Sequence, residues 1–226
     1  MRRRAEAPAN PVPQPQEPFR TIVADPPWPY GDKLPGKGRG AAKRYATMRV
    51  DEIARYLSVD VAKDARLFLW RVAPMQEEAL HVMRAWGFGA PVSEVVWAKT
   101  MQQDFGIQAL METLINQAIR HDNTASELVA RMPEILAIAR RLKPGMGRTF
   151  RMSHETCLVG RRGRPERLSK SEKSVFYAPV RKHSEKPEEF FELVERLSPG
   201  PYLELFSGGH RRPGWTCLGE AHALPA

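Results

Sequence analysis

Apolar residues along this chain fall into short unbroken runs, separated by stretches in which they recur every three or four positions. Phe19-Arg20-Thr21-Ile22-Val23, Ala65-Arg66-Leu67-Phe68-Leu69-Trp70, Ser93 to Lys99 and Thr156 to Gly160 are each four to eight residues long and read as buried strands. Val175 to Val180 reads as a further strand or a sheet edge, and Pro201-Tyr202-Leu203-Glu204-Leu205-Phe206 and Trp215 to Gly219 as the last two. Between them lie helical patterns. Arg49 to Leu57 puts Ile53, Ala54 and Leu57 on one face. Pro74 to Trp86 groups Met75, Ala79, Leu80, Val82 and Met83 and is closed by Gly87. Pro187 to Leu197 groups Phe190, Phe191, Val194 and Leu197 and is stopped by Pro199-Gly200. Strand and helix in this alternation predict an α/β fold, a mostly parallel twisted sheet with helices on both faces. In such sheets ligands bind beyond the carboxyl ends of the strands.

Three segments break the rhythm. Residues 1–18 carry Pro8, Pro11, Pro13, Pro15 and Pro18 among small and polar residues, and read as a disordered basic tail whose Arg2-Arg3-Arg4 could touch phosphates. Gly31 to Arg44 is rich in Gly and cations and reads as a long loop. Residues 102–145 form a helical insert: Ile107, Leu110, Met111, Leu114, Ile115, Ala118 and Ile119 recur at helical spacing, and Thr124-x-x-Glu127 is a capping box. Packing on the sheet is the first reading of the insert, with a homodimer interface or a substrate-recognition element as the others. The remainder, 19–226, is read as one domain.

Composition narrows the partners. Thirty-five Lys and Arg against 26 Asp and Glu give a net charge of +9, which favours a polyanion, with nucleic acid first among them. No apolar run approaches membrane-spanning length, and the amino terminus lacks an apolar stretch after its arginines, so neither a membrane partner nor a secretory signal is expected. Cys157 and Cys217 lie far apart without a Cys-x-x-Cys or Cys/His cluster, so no metal and no disulfide framework is expected and a reducing cytoplasm is the expected home.

The most informative stretch is Ala24-Asp25-Pro26-Pro27-Trp28, at the carboxyl end of the first strand. A carboxylate, a fixed carbonyl and an aromatic ring suit the methylation of an exocyclic amine on a nucleobase. The lone pair of such an amine is delocalised into the ring, so the nitrogen is a poor nucleophile. Asp25 and the Pro26 carbonyl can each accept one amine hydrogen and favour a tetrahedral nitrogen. The Pro-Pro step holds those acceptors rigidly and adds no competing donor, and Trp28 offers a face for an unstacked base. As a bare string, Asp-Pro-Pro is equally an ordinary strand exit. Phe206-Ser207-Gly208-Gly209-His210 runs from another strand into a glycine turn of the kind that lets a ligand approach the backbone. Lys186, just before the predicted helix start, could meet a ligand carboxylate.

These pieces, taken in order, resemble the MT-A70-like family of S-adenosylmethionine-dependent adenine-N6 methyltransferases. The shared motifs are Ala24 to Trp28, Tyr45-Ala46-Thr47-Met48, Leu67 to Trp70, Val95 to Thr100, His154 to Gly160, His183 to Pro187, Glu192 to Gly200, and Leu203 to Phe206 with Trp215. The resemblance covers about residues 19–220 outside the insert. It implies a Rossmann-like methyltransferase in permuted order, with the catalytic loop ahead of the cofactor strand. It assigns Asp25, Pro26, Pro27 and Trp28 to the target adenine, and Lys186 to the methionine carboxylate of S-adenosyl-L-methionine. It lines the cofactor with Asp25, Glu204, Phe206, Ser207, Gly208, His210 and Arg211. Around the substrate mouth it places Lys99, Arg151 and Glu155, and Tyr30, Lys33, Lys37, Arg39, Arg44 and Tyr45, in and beside the basic loop, are read as further substrate contacts. Two departures stand out: Gly208 occupies the place of an arginine that relatives direct to the cofactor ribose, with Arg211 or Arg212 as its substitute, and the insert replaces a short loop. Phosphate contacts are expected from Lys33 to Arg44 and from Arg161, Arg162, Arg164, Arg167, Lys170 and Lys173. The implied activity is N6 methylation of adenine in DNA. The open alternatives are the same reaction on RNA, amide methylation on a protein glutamine, and a silent nucleic-acid-binding partner. The charge and Trp28 argue against the glutamine reaction, and the retained Asp25 and Trp28 against the silent partner.

Overall fold

The structure, a computed structural model, describes residues 17–29, 47–101, 130, 133, 142–145, 149–181 and 185–219. Most of the Pro-rich tail, the loop 30–46 and nearly all of the insert lie outside them, and with them Tyr30, Lys33, Lys37, Arg39, Arg44 and Tyr45.

Among the described residues the strands are β1 (Phe19–Ala24), β2 (Val61–Arg71), β3 (Ser93–Thr100), β4 (His154–Arg162), β5 (Val175–Pro179), β6 (Tyr202–Leu205) and β7 (Trp215–Leu218). The helices are α1 (Val50–Ala54), α2 (Gln76–Ala85), entered through a 3-10 turn at Ala73–Met75, and α3 (Glu188–Leu197). Among the described residues each predicted strand and helix is present, while the helices predicted for the insert lie outside them. β2 begins at Val61 rather than Ala65, because Val61 to Asp64 is a polar, exposed extension of the buried run. β4 extends beyond Thr156–Gly160 at both ends for the same reason.

The sheet order is β5-β3-β4-β2-β1-β6-β7. β1 pairs parallel with β2 on one side and with β6 on the other, and β6 pairs parallel with β7. β4 runs antiparallel to β2. It also runs antiparallel to β3: Val92 N–H donates to the Val159 carbonyl and Lys99 N–H to the Ser153 carbonyl, so one number rises as the other falls. The sheet is therefore mixed, with β4 the reversed strand among those whose direction is defined. Close packing separates the chain into two compact units. One comprises Met1–Val96, Thr156–Ser174 and Glu192–Ala226, the other Trp97–Glu155 and Val175–Phe191.

In the first unit, Ile22, Ala24, Leu67, Leu69, Leu158, Leu203 and Leu205 form one core with Ile53 of α1 and Ala79, Val82 and Met83 of α2. Side chains alternate across a strand, so Thr21, Val23, Arg66, Phe68 and Trp70 face the other way. α2 ends in a Schellman motif. Gly87, at φ +79°, donates to the Arg84 carbonyl, and Phe88 N–H reaches back to Met83. A side chain at Gly87 would strike the Arg162 guanidinium, which donates to the Trp86 carbonyl at 2.9 Å.

At the amino end of β1 lies a buried polar chain. Arg66 donates to Ser198 Oγ at 2.8 Å, Ser198 Oγ lies 2.7 Å from Thr21 Oγ1, and Thr21 donates to the Pro199 carbonyl at 2.7 Å. Each hydroxyl has one hydrogen to give, so the direction is set: Arg66 to Ser198, Ser198 to Thr21, Thr21 to Pro199. Burial lowers the pKa of the Arg66 guanidinium, with Arg167 adding to the effect. Ser198→Ala removes the link shared by both neighbours and is expected to cost about 1–3 kcal/mol of stability. That loss appears as a lower urea midpoint at unchanged slope.

Candidate active site

β1 leads through α1 to β2 on one flank, while β6, on its other flank, continues outward to β7. The winding direction reverses between β1 and β6, and the crevice of a doubly wound sheet opens at that point, beyond the carboxyl ends. The sequence puts Asp25 and Phe206-Ser207-Gly208-Gly209 at these two ends. Ala24 stands opposite Leu205, and Asp25 N–H donates to the Leu205 carbonyl at 3.4 Å.

On the β1 side the backbone turns tightly. Trp28 N–H donates to the Pro26 carbonyl at 2.8 Å, and Met48 N–H to the Pro27 carbonyl at 3.0 Å. A carbonyl oxygen has two lone pairs, so Pro26 keeps one for another donor. Trp28 is 3% exposed, lies in the α1–α2 core, and donates its indole N–H to the Trp70 carbonyl at 3.0 Å. Its ring props the turn from beneath; a base could lie on it only after that face was uncovered. Asp25 is half-buried.

On the β6 side, Phe206 has φ +62°, the left-handed backbone that non-glycine residues adopt only under constraint. The twist breaks strand alternation. It turns the Phe206 ring into the same core as Leu205, 4.2 Å from the ring of Tyr56. Three contacts hold it there. Ser207 N–H donates to the Leu218 carbonyl at 3.1 Å, Ser207 Oγ donates to the Gly219 carbonyl at 3.1 Å, and a Cβ at Gly219 would stand 3.0 Å from the Phe206 Cα. Gly208 and Gly209 follow at φ +64° and +83°, and a Cβ at Gly209 would meet no atom within 4 Å. That open backbone can accept a ligand, as the resemblance requires of a cofactor turn. His210 and Arg211 are exposed; His210 N–H donates to the Ser207 carbonyl. Glu204 contacts Cys217 Sγ at 3.6 Å, and burial, with the Glu204 charge, pushes that thiol up, so the thiol is the donor. Arg212 is half-buried and its charge acts on Cys217 in the opposite sense. Sequence reasoning missed Tyr56 and Gly219. A glycine ending the last strand was the available signal for one, and the other had none.

The second unit holds the remaining site residues. Glu155 lies 2.6 Å from Lys99 Nζ and 3.4 Å from Lys186 Nζ, and Lys99 also sits over the Trp97 ring at 5.2 Å. Burial alone would raise the Glu155 pKa, but the Lys186 and Lys99 ammoniums outweigh it and hold it at about 2. Arg151 is exposed.

The basic run that closes β4 and follows it is placed differently from expectation. Arg161 pairs with Arg66, five residues before the carboxyl end of β2, or roughly 16 Å along the strand. Its beginning therefore lies toward the amino ends of the parallel strands, away from Asp25. Arg162 is committed to the Trp86 carbonyl, and Arg164 N–H bonds Asp64. No group of His, Cys, Asp or Glu among the described residues could hold a metal, and no described helix is long and apolar enough to cross a membrane.

A reversing α/β sheet with a carboxylate and a glycine turn at its switch point defines a Rossmann-like methyltransferase fold. The profile of the MT-A70 family matches residues 19–130 and 128–221, and the chain belongs to that family. It is 29% identical over 205 residues to the human N(6)-adenosine-methyltransferase catalytic subunit METTL3, covering 89% of this chain and 28% of that protein. It is 31% identical over 206 residues to the Drosophila melanogaster N(6)-adenosine-methyltransferase MT-A70-like protein, covering 89% and 26%. A type II methyltransferase of a Mycoplasma species, M.MunI, is 26% identical over 102 residues, covering 38% and 44%. The chain thus spans little more than a quarter of the length of the two N(6)-adenosine-methyltransferases.

Glu155 supplies a pH test. Its folded pKa lies below the ordinary carboxylate value of 4.5, so its stabilising contribution is complete above about pH 4.5 and is lost as the pH falls toward about 2. Glu155→Gln is expected to be less stable at neutral pH, and the gap to the parent chain is expected to close through that window in acid unfolding curves.

Proposed function

We propose that this chain transfers a methyl group from S-adenosyl-L-methionine to the N6 amine of adenine in a nucleic acid, with DNA as the polymer. The observation that carries this reading is Asp25 at the switch point, bonded through its own N–H to the strand that ends in the open glycine turn. The names of the relatives supply the substrate atom.

Glu204, Phe206, Ser207, Gly208 and His210 would hold the cofactor, and Lys186 is the cation proposed for its methionine carboxylate. When bound, S-adenosyl-L-methionine supplies a methyl group already activated for attack. The protein's own task is then positioning. Asp25 accepts one amine hydrogen and the spare lone pair of Pro26 the other, which localises the nitrogen lone pair. The proton leaves only after the nitrogen has become cationic and acidic, so an ordinary carboxylate at Asp25 can take it. Trp28, tied to Trp70, keeps the Pro26 carbonyl in place. Extruding the base from a duplex costs about a few kcal/mol, less from a single strand.

The same reaction on RNA is the second reading, favoured by the word adenosine in the names of the two relatives that cover 89% of the chain. Nucleoside mass spectrometry on DNA and RNA, taken separately from cells expressing the chain or Asp25→Ala, decides between them. The expected result is N6-methyladenine rising in DNA with the intact chain alone; a rise confined to RNA selects the second reading. In vitro, Asp25→Ala is expected to lose about 10²–10⁴-fold in methyl transfer while still binding labelled cofactor. Full activity in that variant would sink the assignment.

A further inference from the structure

We propose that Arg71 is a phosphate-binding residue, gripping the backbone of the nucleic acid beside the nucleotide whose base meets Asp25. The proposal rests on the preceding reading of the substrate.

Arg71 closes β2 at its carboxyl end. Ala24 stands opposite Leu69, so Arg71 lies two residues beyond the last position at which β2 pairs with β1, on the side where β1 runs out into the Asp25 turn. The residue before it supplies the carbonyl that anchors the Trp28 indole. Alternation puts Arg71 on the side of Leu67 and Leu69, and these share one core with Trp28. Its backbone is held on the other flank by pairing with Thr156 of β4. The root of the side chain is thus fixed between strands, at the rim of the turn that carries Asp25.

Its head is not provided for in the same way. Arg71 Nε is buried and has no hydrogen-bond acceptor among the described residues. Three other arginines of this unit reach acceptors: Arg20 reaches Glu166, Arg66 reaches Ser198, and Arg162 reaches the Trp86 carbonyl. A buried donor left without an acceptor costs free energy, so it calls for an explanation outside folding. A guanidinium carries paired donors in one plane, the arrangement that fits two oxygens of one oxyanion. At the edge of a site for a nucleotide, with a net charge of +9 behind it, that oxyanion is a backbone phosphate.

The test uses the full chain and an adenine-containing oligonucleotide, with Arg71→Ala, Arg71→Lys and, as a control, Arg84→Ala on the exposed side of α2. Arg71→Ala is expected to raise the oligonucleotide KM about tenfold, leave kcat within about twofold, and make the salt dependence of kcat/KM shallower by about one in log–log slope. Arg71→Lys keeps the charge but not the planar fork; it is expected to keep the slope with a smaller rise in KM. Arg84→Ala is expected to match the parent. The affinity for labelled cofactor is expected to be unchanged throughout. An unchanged KM and slope in Arg71→Ala overturns the proposal. So does a weakened cofactor affinity, which would assign the guanidinium to the cofactor's carboxylate. A loss confined to kcat in both Arg71 variants, with a lower urea midpoint, also overturns it by showing a purely structural role. Oligonucleotide anisotropy needs no turnover, so it reads Arg71 even if the intact chain methylates no adenine, an outcome that would fault the substrate reading alone.

Discussion

Everything in the first unit depends on β1 being held between two parallel partners from which the chain departs in opposite directions. Its six residues are buried almost throughout and pair with β2 on one flank and β6 on the other. A strand so enclosed cannot slip by one residue without exchanging its two faces, which would bring Thr21 into the apolar core and send Ile22 toward Arg66. Register therefore fixes where β1 stops. Where it stops, the Asp25 N–H bonds the Leu205 carbonyl at the end of β6. The position of the proposed site follows from packing decided several residues away.

The two ends of this sheet differ in how far their polar groups are met. Toward the amino end, Arg66, Ser198, Thr21 and the Pro199 carbonyl form a chain in which each donor has an acceptor. Toward the carboxyl end the backbone turns at Phe206, Gly208 and Gly209, all at positive φ, and Arg71 Nε is buried without an acceptor among the described residues. Strain and unmet polarity at one end persist because the pairing of β1, β2 and β6 overdetermines that end. The Phe206 turn shows how: Ser207 is bonded twice to the end of β7, Gly219 leaves room for the Phe206 backbone, and Tyr56 receives the ring.

Much of this was legible in the sequence, and the limits have physical causes. Buried strands announce themselves as apolar runs, so the strand order along the chain and the helix stop at Gly87 were readable. Asp25 and the glycine turn could be placed at strand ends because motif and element boundary coincide. What escaped depends on contacts between distant segments. The start of β2 at Val61 is polar and looks like loop. Trp28 reads as a ring available to a base, yet its burial follows from the Trp70 carbonyl lying within reach of its N–H, a fact of the fold. The arginines at and beyond the end of β4 read as phosphate contacts, but the reversed direction of that strand carries Arg161 away from Asp25. Tyr56 bears no motif; it matters because the left-handed turn of Phe206 brings a ring to it.

Glu155 and Asp25 show why a carboxylate's role is set by its company. Glu155 sits between two ammoniums that hold its pKa at about 2, so it stays charged at neutral pH and pairs with the Lys99 and Lys186 head groups. A group held so firmly as an anion is a poor proton acceptor. Asp25 is flanked instead by a proline carbonyl and by backbone bonds that use its N–H and leave its side chain at the end of a strand. Methylating an aromatic amine asks for acceptors in fixed places, since the proton becomes easy to remove once the new bond exists. For the reaction proposed above, a carboxylate beside a rigid proline turn meets that demand better than a strong base would, because a strong base would be protonated and lose its acceptor role.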